Sequence, residues 1–202
     1  MEHLNQSLFL MINHFAGSNA ILDQLMEVLA KYLPILFALV LLWLGFFNKV
    51  SPSLQKKRRH AAFLSGYTML IGISINFLIA LFYFHPRPFM NHLGTELIPH
   101  LPDTSMPSDH TTLMVSVALG LFSYTETRHI GQVLLVLGII GGLARVFCGV
   151  HYPFDIVGSI VVSCIAFILT WLLKDYLKQL NLIVFRALEN KIEFLRLFTH
   201  EK

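Results

Sequence analysis

The chain has 202 residues, of which 55% are hydrophobic and only 13% are charged, and its net charge is +3 at pH 7. A soluble domain carries roughly a quarter charged residues, so this composition excludes an ordinary soluble domain. Several apolar runs approach the ~20 residues that cross a bilayer, which predicts an integral membrane protein. We expect no nucleic-acid partner.

Five apolar runs predict transmembrane helices, and the predicted fold is an all-α polytopic bundle with its site at the extracytoplasmic ends. A segment at 4–16 adds a helix that lies on the membrane or, if it crosses, forms a sixth span. The prolines at 86 and 88 end the second run, because proline removes a backbone donor. The third run is short, and glycines in the fourth allow close helix packing. The five runs cover about residues 21–47, 61–84, 108–124, 130–147 and 154–173.

Positive charge indicates the orientation. Twelve of the fifteen Lys and Arg residues lie in 48–60, 125–129 and 174–202, and basic loops remain cytoplasmic. The opposite ends of the spans then face the cell exterior or periplasm. The last of these segments mixes charged and apolar residues at helical spacing, which is typical of an amphipathic helix on the membrane surface. We expect one domain over 1–202, with a core at about 60–175.

Two arginines and a helix start at the outward ends favour anion binding. Arg87 and Arg145 carry permanently charged guanidinium groups that suit bidentate phosphate contacts. Ser108 or Asp109 is placed to cap the third helix, whose first-turn N–H groups attract an anion.

Two histidines at the same ends add proton and nucleophile chemistry. His151 and Asp155 are four residues apart and can meet at a helix start, where a carboxylate fixes the imidazole tautomer and raises its basicity. His110 is then free to donate a proton to a leaving oxygen. Each residue alone has an ordinary explanation, such as a helix cap, a snorkelling arginine or an interfacial histidine. Their convergence on one membrane face favours phosphate chemistry.

The pattern resembles the type-two phosphatidic acid phosphatase superfamily. Its motifs are Lys, six residues and Arg-Pro; Pro-Ser-Gly-His; and Ser-Arg, five residues, His, three residues and Asp. This chain departs from them at Ala80, Asp109 and Ala144, and the lost lysine and gained acid argue against a vanadium haloperoxidase. The matching residues are Arg87-Pro88, Pro107-Ser108-Asp109-His110, Arg145, His151 and Asp155.

The segments 83–89 and 149–153 are similar to the undecaprenyl-diphosphatase branch of the bacitracin-resistance type. The resemblance implies hydrolysis of undecaprenyl diphosphate to the monophosphate on the outer face of the bacterial plasma membrane. That reaction would recycle the cell-wall lipid carrier and confer bacitracin resistance. The alternatives are a phosphatase for phosphatidic acid or phosphatidylglycerol phosphate, and a non-enzymatic lipid-phosphate carrier.

The resemblance also implies a role for each site residue. His151 would attack phosphorus and become a phosphohistidine, oriented by Asp155, while His110 protonates the leaving group. The phosphate oxygens would be held without metal or cofactor, and Asp109 has no assured role of its own. Membrane lipids are the expected partners, and a homo-oligomer is left open. The expected phosphate-binding residues are Arg87, Ser108, Arg145 and the backbone around Asp109.

Overall fold

A computed structural model describes residues 2–183, and within that range the chain is helical and has no strand. The all-α prediction is therefore confirmed. A π-helical segment, Trp43–Phe47, continues α2, a 3-10 turn covers Pro88–Asn91, and residues 174–183 are helical. The main helices are α1 (Glu2–Asn13), α2 (Ala20–Leu42), α3 (Pro52–Phe82), α4 (Asp109–Phe122), α5 (Arg128–Phe147) and α6 (Pro153–Leu172).

Four helices are long and apolar enough to cross a membrane, by length and composition: Ala20–Phe47, Pro52–Phe82, Arg128–Phe147 and Pro153–Leu172. Their outer faces expose large apolar side chains that a membrane would cover, such as Phe77 (64% exposed) and Ile168 (56%). The predicted third span is the 14-residue α4, which is about 21 Å long. It is too short to cross ~30 Å of hydrocarbon unaided.

The short helix α4 lies at the centre of the bundle, where it packs against α2, α3, α5 and α6. Its side chains Met114, Val117 and Leu121 are fully buried. Glycines bring its neighbours close: a Cβ atom on Gly142 of α5 would lie 3.0 Å from Thr111 Oγ1 of α4. A central position suits a helix that lipid does not need to surround, and it fixes the α4 N-terminus relative to α5 and α6.

The boundaries differ from prediction at the basic end. Residues 48–60 were expected to form a loop, but α3 begins at Pro52 and only 48–51 are outside a helix. Proline at the first helical position needs no hydrogen bond from its missing N–H, and Lys and Arg are good helix formers. The predicted tail at 174–202 is helical as far as 183, and its remainder lies outside the described residues.

The N-terminal helix α1 covers the turn between α5 and α6. Its 12 residues span about 18 Å, too little to form the sixth span. The Asn13 amide donates to the Phe147 and Thr95 carbonyls at 2.7 and 2.8 Å, and its oxygen accepts the Thr95 N–H. Asn5 accepts the Phe154 N–H at 3.0 Å. These bonds attach α1 to the ends of α5 and α6.

Candidate active site

The predicted site residues meet at one end of the bundle, where the 83–108 segment lies against the 148–152 turn. Three of the elements involved are the first turns of α4 and α6 and the last turn of α5. His110 is partly buried and Asp109 is exposed. The other five are buried: Arg87, Ser108, Arg145, His151 and Asp155.

The turn from Arg145 to His151 depends on Gly149. This glycine has φ +83°, in the left-handed region where side chains are strained. A Cβ atom there would also collide with the Thr95 carbonyl. The backbone is closed by a hydrogen bond from the Val150 N–H to the Arg145 carbonyl at 3.2 Å. The turn therefore fixes the distance between the arginine at the end of α5 and the histidine before α6.

His151 and Asp155 form a buried pair. Asp155 Oδ2 accepts the Tyr152 N–H at 2.7 Å, which caps α6, and it lies 3.4 Å from His151 Nδ1. Both side chains are at most 1% exposed. Burial lowers the pKa of His151 to about 3, although the neighbouring carboxylate acts in the opposite direction. The imidazole is therefore neutral at physiological pH. Arg87 Nη1, which can only donate, lies 3.1 Å from Nε2, so Nε2 is the acceptor and Nδ1 carries the proton on the side of Asp155.

Arg87 lies against the other ring nitrogen of His151. Its Nη1 donates to the Val150 carbonyl at 2.8 Å and lies 3.1 Å from His151 Nε2. Its Nε pairs with Asp103 at 2.7 Å, and Nη2 donates to the Thr104 carbonyl at 3.2 Å. Arg87 thus orients toward the ring nitrogen that would act as nucleophile, and a phosphoryl group would enter between the two side chains.

Arg145 is buried with most of its hydrogen-bonding capacity unused. Its Nη1 donates to the Ala30 carbonyl at 3.3 Å. Pro34, four residues later in α2, has no N–H for that carbonyl, which leaves Ala30 available to the arginine. Among the described residues, Arg145 Nε and Nη2 have no hydrogen-bond partner. The unpaired donors of this buried guanidinium group could bind an anion.

The N-terminus of α4 provides the third side. Ser108 is the N-cap, as expected: its Oγ accepts the Thr111 N–H at 3.5 Å and the Thr111 hydroxyl at 3.2 Å. Its carbonyl accepts from Ser159 of α6 at 3.0 Å. His110, in the first turn, lies within the electrostatic field of Arg145 and Arg87. The α4 helix start therefore lies near both arginines, and the three could bind one anion.

Asp109 is turned toward α3. Its Oδ1 accepts from Asn76 Nδ2 at 2.8 Å, and the same amide nitrogen lies 3.0 Å from Thr112 Oγ1. Ala80, which stands where the motif has lysine, is exposed one helical turn further along. A neutral amide therefore holds the carboxylate that replaces the motif glycine, and Asp109 does not join the His151 pair.

Several side chains at the site carried no usable signal in the sequence. Asp103, in the 83–108 segment, pairs with Arg87. His85 lies 3.4 Å from Asp155 Oδ1. The ring centroid of His100 is 6.4 Å from that of His151. These contacts join residues far apart in the chain, where no periodicity predicts them; only the closeness of His85 to Arg-Pro was a clue.

An apolar groove lies well away from the histidines, toward the basic end. It has a volume of about 550 Å³ and is formed mainly by α2 and α3, with Leu113 and Val117 of α4 at its base. Its walls suit a lipid chain, but the reactive groups described above do not line it. The candidate catalytic residues therefore lie at the polar helix ends and do not line the groove.

Comparison with known proteins places this arrangement in a family. The model of the PAP2 superfamily matches residues 61–179, a range that contains all seven site residues. The chain belongs to the PAP2 superfamily. Together with the apolar helices, this makes it a membrane-embedded lipid phosphatase, as the motif spacing predicted.

Three relatives extend the match beyond the family core. Undecaprenyl-diphosphatase BcrC of Bacillus subtilis (strain 168) is 34% identical over 94% of this chain and 95% of its own length. The putative undecaprenyl-diphosphatase YbjG of Escherichia coli (strain K12) is 27% identical over 85% and 84%. The bacitracin transport permease protein BcrC of Bacillus licheniformis is 26% identical over 82% and 78%.

A solved PAP2-like structure has the same helical arrangement. The crystal structure of Aquifex aeolicus LpxE superposes with a TM-score of 0.65 at 25% identity, and the match covers 83% of this chain and 94% of that one. The fold that positions the His151–Asp155 pair is therefore shared with a protein whose sequence is only distantly similar.

Proposed function

We propose that this protein hydrolyses undecaprenyl diphosphate to undecaprenyl phosphate and inorganic phosphate. The observation that carries the proposal is the neutral, buried His151 beside an arginine with unused donors. His151 supplies a nucleophilic nitrogen, and Arg145 supplies unpaired N–H donors that can bind the oxygens of a phosphate. The names of two relatives supply the polyprenyl diphosphate as substrate.

The geometry supports a two-step transfer. His151 Nε2 attacks the terminal phosphorus, so that a P–N bond forms while the bond to the bridging oxygen breaks. Burial and the charges of Arg145 and Arg87 lower the pKa of His110 to about 4. The bound diphosphate offsets the arginine charges, so His110 is protonated in the complex and gives its proton to the bridging oxygen as undecaprenyl phosphate leaves. A water molecule then gives a proton to His110 and attacks the phosphorus; the P–N bond breaks, phosphate leaves, and both histidines return to their starting protonation states. Asp155 holds the Nδ1 proton throughout and stabilises the positive charge that develops on the ring.

Charge stabilisation falls to the two arginines and the α4 N-terminus. In the transition state, negative charge lies on the three equatorial oxygens of the phosphoryl group, and preorganised donors lower its energy. Arg145 offers two free N–H groups, and Arg87 releases His151 Nε2 when the phosphoryl group enters. Ser108 adds a hydroxyl at the helix cap. This mechanism contains no step through a metal or cofactor.

The site's place at the helix ends favours a lipid-anchored substrate. A polyprenyl tail can remain in the bilayer against the exposed apolar faces of the spans while its diphosphate enters the polar pocket. By the positive-inside rule, the site faces outward from a bacterial plasma membrane. There, hydrolysis would return the carrier for cell-wall synthesis and deplete the diphosphate that bacitracin sequesters, which confers resistance.

A phosphate-release assay on detergent-purified protein tests the reaction. We would compare undecaprenyl diphosphate with phosphatidic acid and phosphatidylglycerol phosphate, each in excess EDTA. We expect turnover of the diphosphate that falls about 10³-fold or more in His151→Ala. His129→Ala, an exposed histidine at the start of α5, is the matched control and should not change the rate.

The remaining outcomes separate the alternatives. Preference for a glycerolipid would keep the chemistry and overturn the cell-wall substrate. Loss of turnover in EDTA would overturn the metal-free mechanism. The word permease in one relative's name makes a lipid-phosphate carrier the second candidate. It would be favoured if the folded protein hydrolysed none of the lipids while His151→Ala kept bacitracin resistance in cells.

Orientation is tested separately by cysteine labelling in intact cells. Leu101 is 74% exposed in the 83–108 segment at the site end, and Ser53 is exposed at the start of α3 at the basic end. We expect an impermeant thiol reagent to label Leu101→Cys and not Ser53→Cys. The reverse pattern would place the site in the cytoplasm.

A further inference from the structure

Asp155 lies between two imidazole rings. Its Oδ2 faces His151 Nδ1 and its Oδ1 faces His85 Nδ1, each at 3.4 Å. The carboxylate is fully buried, and within residues 2–183 its Oδ1 has no aligned hydrogen bond. The oxygen that does not serve the nucleophile is therefore directed at a second titratable ring.

The position of His85 is fixed from several sides. Its Nδ1 is 2.9 Å from Ser105 Oγ, and its backbone N–H donates to Thr104 Oγ1 at 3.0 Å. The ring stacks on Tyr83 at 6.2 Å between centroids, with the planes 9° apart, and it packs against Tyr152 at 5.2 Å. These contacts fix the His85 ring beside the buried Asp155 carboxylate, so His85 belongs to the site.

We propose that His85 is a positioning residue for the phosphatase reaction, one that acts through Asp155 on the orientation and basicity of the His151 ring. This inference rests on the proposed function, since it concerns the same nucleophile. His85 does not contact the reacting atoms. It shares the carboxylate with His151, so its protonation state determines how much of the negative charge acts on His151 Nδ1–H.

The groups around His85 give the sign of the effect. The contact with Asp155 raises the pKa of His85, and the charge of Glu2 in α1 adds to it, while burial opposes both. The other titratable groups against the ring are the phenols of Tyr83 and Tyr152. At pH values below its raised pKa, His85 is protonated and neutralises part of the Asp155 charge. This weakens the attraction between Asp155 and the His151 Nδ1–H. Above it, the full carboxylate acts on His151 and makes Nε2 a better nucleophile, so turnover rises with pH.

Substitution of His85 by glutamine or by alanine separates the two contributions of its ring, which are its titration and its N–H donor. His85→Gln keeps an N–H donor toward Asp155 but does not titrate. We therefore expect kcat at neutral pH to stay within about threefold of wild type while the acid limb of the kcat profile moves to lower pH. His85→Ala removes the donor as well, and we expect kcat to fall about tenfold with KM changed less than about twofold. His14→Gln, an exposed histidine at the end of α1, is the control.

The test is the pH profile of phosphate release from undecaprenyl diphosphate by purified wild type and variants. A wild type without turnover would overturn the proposed function and this inference together. An active wild type whose acid limb is the same in His85→Gln would overturn this inference alone. Ser105→Ala changes the other partner of His85 Nδ1 without touching Asp155. If His85→Gln does not fold, an unshifted acid limb in Ser105→Ala overturns the inference.

Discussion

We expect Arg145 to lower the stability of the folded protein while it supports activity. It is 2% exposed, and in the described part of the chain two of its nitrogens have no partner. A buried polar group left unpaired costs ~1–3 kcal/mol. Arg145→Met removes this cost for both nitrogens and fills similar space. The Ala30 carbonyl loses its donor, which offsets part of the gain in stability. We expect a net gain of about 1–3 kcal/mol in the free energy of unfolding.

The same substitution should nearly abolish turnover. Two charge-assisted hydrogen bonds to the transition-state phosphoryl group are worth ~1.5–3 kcal/mol each. Because ~1.4 kcal/mol is a tenfold change in rate, their loss predicts a kcat about 10²–10⁴ times lower. Arg145→Lys keeps the charge but not the planar fork, so it should recover only part of this loss.

Two measurements on the same purified samples check these values. Thermal unfolding in detergent should give a Tm several degrees higher for Arg145→Met, since ~1 kcal/mol shifts Tm by about 2–4 °C at this chain length. Phosphate release should give the loss in kcat. The control is Arg128→Met, because Arg128 is exposed on the same helix and lies over the Phe122 ring. A lower Tm for Arg145→Met, or activity above a tenth of wild type, would refute the reasoning.

Three further substitutions test the surrounding geometry. Arg87→Ala should abolish turnover, since the pocket has no motif lysine to compensate; a residual rate above about a tenth of wild type in the phosphate assay would contradict this. Gly149→Ala should lower kcat at least about tenfold, because its Cβ meets the Thr95 carbonyl. Gly17→Ala has the same φ of +83°, but its Cβ would lie at an ordinary contact distance of 3.9 Å from Thr95 Cγ2, so kcat should not change. Cys148→Ala removes a buried thiol that no mechanistic step uses, so kcat should stay within about twofold while Tm falls slightly.

Local sequence signals predicted most of the helices and the Ser108 cap. Apolar runs predict spans because lipid-facing side chains must be apolar along the whole helix. The α3 boundary was missed, since a basic run after a proline is compatible with either a loop or a helix start. The motif spacing predicted that Arg145, His151 and Asp155 lie together, because a short turn and one helical turn fix their separation.

Contacts across the chain could not be predicted in the same way. Asn76 holds Asp109 from 33 residues away, and Asn13 reaches Phe147 from 134 residues away. A single asparagine in an apolar helix is compatible with a lipid-facing, packed or hydrogen-bonded position, and only the assembled bundle decides between them. The exposed Ala80 shows the same limit. The sequence revealed that the motif lysine is missing, and only the structure revealed that the neutral amide of Asn76 binds Asp109 instead.

The first two helices are part of the site although the family model begins at residue 61. Pro34 in α2 frees the Ala30 carbonyl, and that carbonyl is the one hydrogen-bond acceptor of Arg145 among the described residues. Asn13 in α1 holds the last carbonyl of α5 from the other side. The arginine is therefore placed by packing outside the motif, with its remaining donors left unpaired. We expect a pocket braced by these two flanking helices to be rigid before phosphate binds, and charge stabilisation then needs no reorganisation.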